Sequence, residues 1–356
     1  MEYRARKKKI LFIISDLESG GAQRVLVNLS NNLIEKKYSI TILLLGNRKS
    51  FYEINPQIQI VNLNQLKISE NISDKILNNL NRIKKIRSII KEYSPDCIVS
   101  FIYQTNVLSL IANIGLKIKI IVSERNNPFH QISKKHWKIL RFITYSFSDH
   151  IVVNNHFALE YFKKIFNKKV LMINNSLTSF TRKKRKRKNI ILLVSRHHTQ
   201  KNIKLFINGF SLIHKKIDNW KVIVIGSGIL MNQHKRLTKK LKLQEKFSWI
   251  SQSRNISEYY EKSKIFCLPS IFEGVSNALL EAIKFDLSCV VSDSAISEKD
   301  YINNFIIKFK NKSETDLAEK LYKAINNPKK NVIKNKQNYL GNFNPTKIIR
   351  DWEKII

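Results

Sequence analysis

Short apolar runs, each the length of a buried strand, recur along this chain with amphipathic segments between them. The runs fall at Ile10–Ile14, Ser39–Leu45, Ile58–Leu63, Cys97–Phe101, Lys119–Ser123, Ile151–Val153 and Val170–Ile173. They resume at Ile190–Val194, Lys221–Ile225, Phe247–Ile250, Ile265–Leu268, Cys289–Val291 and Phe305–Phe309. Helical spacing is predicted for Ala22–Lys37, Ser73–Tyr93, Thr105–Gly115, Ser133–Phe147 and Ala158–Phe166. Further helices are expected at Ile203–His214, Ser257–Lys264, from Ser276 or Asn277 to about Phe285, and at Thr315–Ile325. Strand and helix in alternation specify an α/β fold. The pattern starts afresh after the basic run Arg182–Lys188, and 356 residues suffice for two domains. The expected boundaries are 1–180, 181–335 and a helical tail at 336–356.

The net charge is +37, with 28 Lys/Arg against 12 Asp/Glu in residues 1–180 and 36 against 15 in residues 181–356. A field of that sign in both halves favours anionic partners: nucleic acid, an anionic membrane surface or phosphorylated substrates. A nucleic-acid-binding protein is therefore one reading, but the chain has no zinc spacing, RNP aromatic pair or Walker loop. No apolar run reaches the roughly 20 residues of a membrane span, and the N-terminus has no signal-type apolar region. Cys97, Cys267 and Cys289 each sit in an apolar run, which reads as core packing in a reducing compartment. A cytoplasmic location is expected.

The most informative stretch is Ser263–Ser292, SKIFCLPSIFEGVSNALLEAIKFDLSCVVS. A strand ends at Pro269-Ser270, a turn carries Glu273-Gly274, and a helix capped by Ser276 or Asn277 carries Glu281. Loops between strand C-termini and helix N-termini are where open α/β sheets bind ligands, and helix N-termini hold phosphates. Carboxylates there suit sugar or ribose hydroxyls. Spacing alone leaves open a solvated loop residue at 273 and a surface helix residue at 281. A second such loop, Ser195–Asn202, brings Arg196 and Lys201 to a helix start, where two cations and a helix dipole converge on one anion. The turn Gly226-Ser227-Gly228 follows the next strand. In the first half, Gly20-Gly21 opens the first helix, and paired glycines permit φ > 0 or close approach. The absence of G-x-G-x-x-G there argues against an NAD-binding half.

The 263–292 stretch resembles the signature P-S-x-x-E-G-x-x-x-x-x-L-E-A of retaining family-4 glycosyltransferases, with every letter present from Pro269 to Ala282. Arg196 and Lys201 match that family's G-R-x-x-x-x-K spacing with Ser195 in place of the glycine, and Gly20-Gly21-Ala22-Gln23-Arg24 matches its G-G-A-E-R turn. The resemblance spans nearly the whole chain. It implies a GT-B architecture: two Rossmann-like domains facing a cleft, with the C-terminal helix packing back on the first domain. It also implies transfer of a hexose or N-acetylhexosamine from a UDP- or GDP-linked donor, without a metal or other cofactor. On this resemblance Arg196 and Lys201 bind the donor diphosphate, Glu281 the ribose and Glu273 the transferred sugar. Gly21, Gly226, Gly228 and Asn277 complete the donor contacts. The loop Ser123-Glu124-Arg125-Asn126-Asn127-Pro128 resembles the S-E-R-N-x-P loop of members that extend polyprenol-linked saccharides. Glu124, Arg125 and Asn126 are thereby candidates for acceptor or sugar contacts, in surface polysaccharide synthesis. A sugar-nucleotide epimerase of similar architecture remains a second reading.

An enzyme of this kind must reach a lipid headgroup, so peripheral attachment to the inner face of the cytoplasmic membrane is expected. Lys134, Lys135, Lys138 and Arg141 fall on one helical face beside Trp137, a basic and aromatic pairing that suits an anionic interface. The same spacing also fits a solvated basic face above an ordinary core face.

Overall fold

The computed structural model describes residues 6–36, 38–46, 50–64, 71–130, 134–177, 183, 185–253, 255–297, 299, 302, 306–327 and 333–356, with the side chains of residues 72 and 333–335 left out. The chain divides into two units, Met1–Ser176 with Pro345–Ile356, and Leu177–Asn344.

The first unit is built from β1 (Lys9–Ile14), α1 (Gly21–Glu35), β2 (Ser39–Leu44), β3 (Gln59–Asn62), α2 (Ile72–Tyr93), β4 (Cys97–Phe101), α3 (Tyr103–Asn113), β5 (Lys119–Glu124), α4 (Lys135–Tyr145), β6 (His150–Val153), α5 (His156–Phe166) and β7 (Val170–Met172). Its sheet runs β3-β2-β1-β4-β5-β6-β7, all parallel. Side chains alternate across a strand, and helices cover both faces of the sheet. Ile10, Phe12 and Ile14 accordingly join Val25, Leu26, Leu29 and Leu33 of α1 in one core. Leu11 and Ile13 join Ile86 and Ile90 of α2 and Val107 of α3 in the other.

The second unit contains β8 (Ile190–Val194), α6 (Ile203–Ile213), β9 (Lys221–Ile225), α7 (Met231–Lys240), β10 (Phe247–Ile250), α8 (Ser257–Lys262), β11 (Ile265–Leu268), α9 (Asn277–Lys284), β12 (Ser288–Ser292), β13 (Ile306–Phe309), α10 (Glu314–Asn326) and α11 (Ile333–Gly341). Its sheet, β10-β9-β8-β11-β12-β13, is again all parallel. Ile191 and Leu193 pack with Phe206 and Phe210 of α6 and Leu317 of α10. Leu192, Phe266 and Leu268 face the opposite way, toward Tyr260 of α8 and Leu280 and Ile283 of α9. In both sheets the strand order reverses beside the first strand, between β1 and β4 and between β8 and β11. Such switch points open a crevice at the strand C-termini.

The chain then returns to the first unit as α12 (Pro345–Glu353). Trp352 is fully buried there, 6.4 Å from the Phe101 ring, beside Ile348 and Ile349. The return falls at Pro345 rather than at 336, because Tyr339, Leu340 and Phe343 pack into the second unit. The first boundary falls at Ser176 rather than at 180.

One further helix was not expected. Helix α7 gave no apolar stripe to read, since His234 and Thr238 are its buried residues. The described part of the basic run opens the second unit and is tied to it: Arg185 pairs with Glu258 at 3.2 Å and Glu261 at 3.2 Å, and Arg187 donates to the Asp286 carbonyl at 2.8 Å. Arg182 and Lys184 lie outside the described residues, as do Ser133 and Phe305 at the expected starts of two elements. Among the described residues no helix is long and apolar enough to cross a membrane.

If α12 is part of the first core, Trp352→Ala should cost about 3–5 kcal/mol, as for other buried Trp truncations. Urea unfolding of the two proteins measures this. A loss below about 1 kcal/mol would place Trp352 outside the core.

Candidate active site

The switch point of the second sheet is flanked by the loops after β8 and β11. These loops hold each other: the Ile271 N–H donates to the Gln200 carbonyl, and Gln200 Nε2 donates to the Phe272 carbonyl, both at 2.8 Å. Across this seam Lys201 Nζ lies 2.5 Å from Glu273 Oε1, with the two side chains only 15% and 7% exposed. Ser270 Oγ donates to the same oxygen at 2.6 Å. Arg196 is exposed, and among the described residues its side chain makes no hydrogen bond or ion pair. Ser276 caps α9 by accepting from the Leu279 N–H, which leaves Asn277 in the first turn with its backbone amide at the helix start.

Glu281, one turn further into α9, is buried and accepts a hydrogen bond from Tyr260 Oη at 2.9 Å. Tyr260 stacks on Phe285 at 5.5 Å, which fixes the direction of that hydroxyl. Both carboxylates are thus buried and partnered, so neither the solvated-loop reading of Glu273 nor the surface reading of Glu281 holds. Tyr260 was missed from sequence, where a tyrosine in a short polar helix gives no signal.

Gly226 and Gly228 have φ of +146° and +150°. A Cβ on Gly226 would lie 2.0 Å from the Ser195 carbonyl oxygen, and one on Gly228 2.5 Å from the His197 carbonyl oxygen. The close approach these glycines permit is to the loop that carries Arg196. In the first unit Gly20 is extended with φ −170°, and Gly21 begins α1 on the surface. Neither uses φ > 0.

The first-unit candidates divide differently. Glu124 ends β5 and is buried. Tyr145 Oη donates to its Oε1, and Arg141 Nη1 lies 3.6 Å away. Asn106 Nδ2 donates to Tyr145 Oη at 2.9 Å, and Ser100 Oγ to Asn106 Oδ1 at 2.6 Å. Burial pushes the Glu124 carboxyl above the usual range, against the opposing pull of Arg141. This carboxylate is part of an internal network and is not free for an acceptor sugar. Arg125 is partly engaged inside the unit: Nε donates to Ser123 Oγ at 2.7 Å and Nη1 to the Ile173 carbonyl at 3.0 Å, while Nη2 has no hydrogen-bond partner among the described residues. Its guanidinium lies over the Phe101 and Trp352 rings, and burial pulls its pKa down to about 9. Asn126 is half-buried, as Arg125 is, with its Oδ1 accepting from the Asn127 N–H. On the same edge Ile102 takes φ +73°, a conformation that a β-branched residue holds only under constraint and that recurs at functional sites.

Helix α4 also turns differently from expectation. Arg141 is 3% exposed and lies over the Tyr103, Tyr161 and Phe162 rings, because the buried Glu124 needs a cation. Trp137 packs edge-on against Tyr103. The outward face carries Lys134, Lys135 and Lys138 together with Ile139, Phe142, Ile143 and Phe147.

Comparison with known proteins agrees with this fold. Residues 19–177 match the family model described as Glycosyltransferase Family 4, and residues 176–341 match Glycosyl transferases group 1. A Campylobacter jejuni protein is 29% identical, with 98% of each chain covered. It is the GalNAc-alpha-(1->4)-GalNAc-alpha-(1->3)-diNAcBac-PP-undecaprenol alpha-1,4-N-acetyl-D-galactosaminyltransferase. Among solved structures, a glycosyltransferase from Rickettsia africae superposes with a TM-score of 0.76 at 18% identity, covering 99% of this chain and 98% of the other. An Anabaena protein in complex with UDP gives a TM-score of 0.72 at 13% identity over 97% and 98%.

If Glu124 is internal, Glu124→Ala should destabilise the fold by about 3–5 kcal/mol, since it leaves Arg141 buried without its counter-ion. Chemical denaturation reads this. A variant of native stability that has lost only acceptor affinity would restore Glu124 to the site.

Proposed function

The chain belongs to the family-4 and group-1 glycosyltransferases, enzymes of GT-B type, and from that premise we propose that it transfers a hexose or N-acetylhexosamine, with retention of configuration, from a UDP- or GDP-linked donor to a glycan or polyprenyl-diphosphate-linked saccharide during surface polysaccharide synthesis. The observation that carries this reading is the exposed Arg196, unpaired among the described residues, in the same loop as the Lys201 that pairs with Glu273 at the switch point of the second sheet. A lone guanidinium there suits bidentate contact with a phosphate. An ammonium has three donors, so Lys201 can keep Glu273 while reaching a phosphate oxygen. As the glycosidic bond breaks, negative charge gathers on the leaving diphosphate. Arg196, Lys201 and the α9 amides near Asn277 would stabilise that charge in place. Glu273 would then hold hydroxyls of the transferred sugar, and Glu281, steadied by Tyr260, those of the ribose.

The acceptor class rests on the Campylobacter relative, whose name specifies a diphosphoundecaprenol-linked saccharide. Such an acceptor would hold the enzyme at the inner face of the cytoplasmic membrane. Helix α4 supports this with the three lysines expected from sequence, and with exposed apolar residues in place of Arg141 and Trp137. Ile139, Phe142, Ile143 and Phe147 are each more than half exposed, and Lys134, Lys135 and Lys138 flank them. Shallow apolar insertion with surrounding lysines is how a helix lies on an anionic leaflet.

Arg196→Ala and Lys201→Ala should each lower kcat/KM about 10²-fold, with melting temperature nearly unchanged. The assay is product formation from a panel of UDP- and GDP-sugars with lipid-linked acceptors. Normal turnover in both variants would remove the donor site from this loop.

Replacing Lys134, Lys135 and Lys138 together with Gln should reduce binding to anionic liposomes more than tenfold, at about 1 kcal/mol per lysine. Ile139→Ser with Phe142→Ser should reduce it further. Co-sedimentation that is indifferent to lipid charge, or unchanged in both variants, would count against a membrane role for α4.

A further inference from the structure

Next to Arg196 lies a pair of histidines that the mechanism above does not use. His197 is fully buried and His234, from α7, nearly so. Their Nδ1 atoms are 2.8 Å apart, and His197 also packs against the Trp249 ring at 5.5 Å. We propose that His197 and His234 are positioning residues for donor binding: their hydrogen bond fixes the loop that presents Arg196 to the diphosphate. This rests on the donor-site reading above.

The backbone around the pair supports the assignment. The His197 N–H donates to the Ser227 carbonyl at 2.9 Å, and the Leu230 N–H donates to the His197 carbonyl at 3.1 Å. Those bonds, with Gly228 pressed onto His197, join the loop after β8 to the loop after β9. The ring-to-ring bond adds a third tie, from the side chain adjacent to Arg196 into the body of α7. Packing alone would not call for it, because two apolar rings would fill the same space without burying polar nitrogens. A directional bond between rings sets the rotation of the loop, and with it where the Arg196 guanidinium points.

A single Nδ1···Nδ1 bond needs one ring to donate and the other to accept, which two neutral rings provide. Burial holds both rings near pKa 4 instead of 6.5 and so keeps them neutral; for His197, the neighbouring His234 and Lys235 act in the same direction. Arg196 and His198 flank His197 in its loop, and Trp249 from β10 brings no charge. Among the described residues no carboxylate lies within ion-pair distance of either ring. A depressed histidine pKa means that the unfolded chain takes up protons which the folded chain refuses. The pair's contribution to stability is therefore complete above about pH 6.5 and is lost as the pH falls toward 4.

The test is calorimetric titration of UDP, GDP and inorganic pyrophosphate into the native chain, His234→Phe and His234→Asn at pH 7.5. The Phe ring fills the space without a nitrogen and should weaken binding about tenfold, the scale of one lost buried hydrogen bond. The Asn amide reaches the Nδ1 position and should restore most of the affinity. In turnover, the Phe variant should show a raised donor KM together with a lowered kcat, because Arg196 acts on both the bound and the leaving diphosphate. A purely structural role would instead lower the folded fraction and leave the affinity of the folded molecules unchanged. Should the Phe variant not fold, ring nitrogen NMR of the native chain decides, since it must show an Nδ1–H···Nδ1 bond with one ring donating and the other accepting. Native-like affinity in a folded Phe variant, or the absence of that bond, overturns the proposal alone. Failure of the native chain to bind all three probes overturns the donor-site reading, and this proposal with it.

Discussion

A parallel strand joined to its neighbours by crossover helices has no face left for water, so its side chains must be apolar in both directions. Both sheets of this protein obey that constraint, and Ile10, Phe12 and Ile14 against Leu11 and Ile13 show it most clearly. Polar chemistry is thereby driven off the strands and onto the loops at their ends. The strand order then decides which loops meet. Because β8 lies beside β11, residues far apart in sequence, Lys201 and Glu273, end 2.5 Å from each other.

Charge inside the two units follows a second rule, that a buried ion needs a partner. In the first unit Glu124 takes Arg141, and Arg125 is held by neutral oxygens and two aromatic rings. In the second unit Glu273 takes Lys201. Arg196 stands outside this accounting: exposed, and unpaired among the described residues, it is a cation that an incoming anion can claim. In a chain of net charge +37 the total number of cations says little about a site. What distinguishes Arg196 is its position in the loop after β8.

Much of this was legible in the amino-acid sequence because it rests on local patterns. The apolar runs that became β1 to β13 differ from the structure mainly at their ends. Glu273, Glu281, Arg196 and Lys201 stood out through their spacing around strand ends and helix starts. What was not legible depends on contacts across the fold. Arg141 has the helical phase of an exposed lysine, and only the carboxylate buried at the end of β5 turns it inward. Trp137 follows it toward Tyr103, and the outer face of α4 passes to Ile139 and Phe142. The pairing of His197 left no trace in sequence, since its partner His234 lies in a helix with almost no apolar signature. Tyr260 was hidden for the same reason.

The return of α12 to the first unit also bears on how the protein is made. Trp352, Ile348 and Ile349 complete the core around Phe12 and Phe101, yet they leave the ribosome only after the whole second unit has been synthesised. At about 5–20 residues per second, the intervening stretch of roughly 170 residues takes some ten to thirty seconds. During that interval the part of the first sheet's apolar face beside Phe101 that α12 later covers stays open, although α1 already packs on the rest. The second unit is contiguous in sequence and has no such wait. Order of synthesis and order of completion are therefore reversed, and the period of exposure falls on the nascent chain, where a chaperone can shield it.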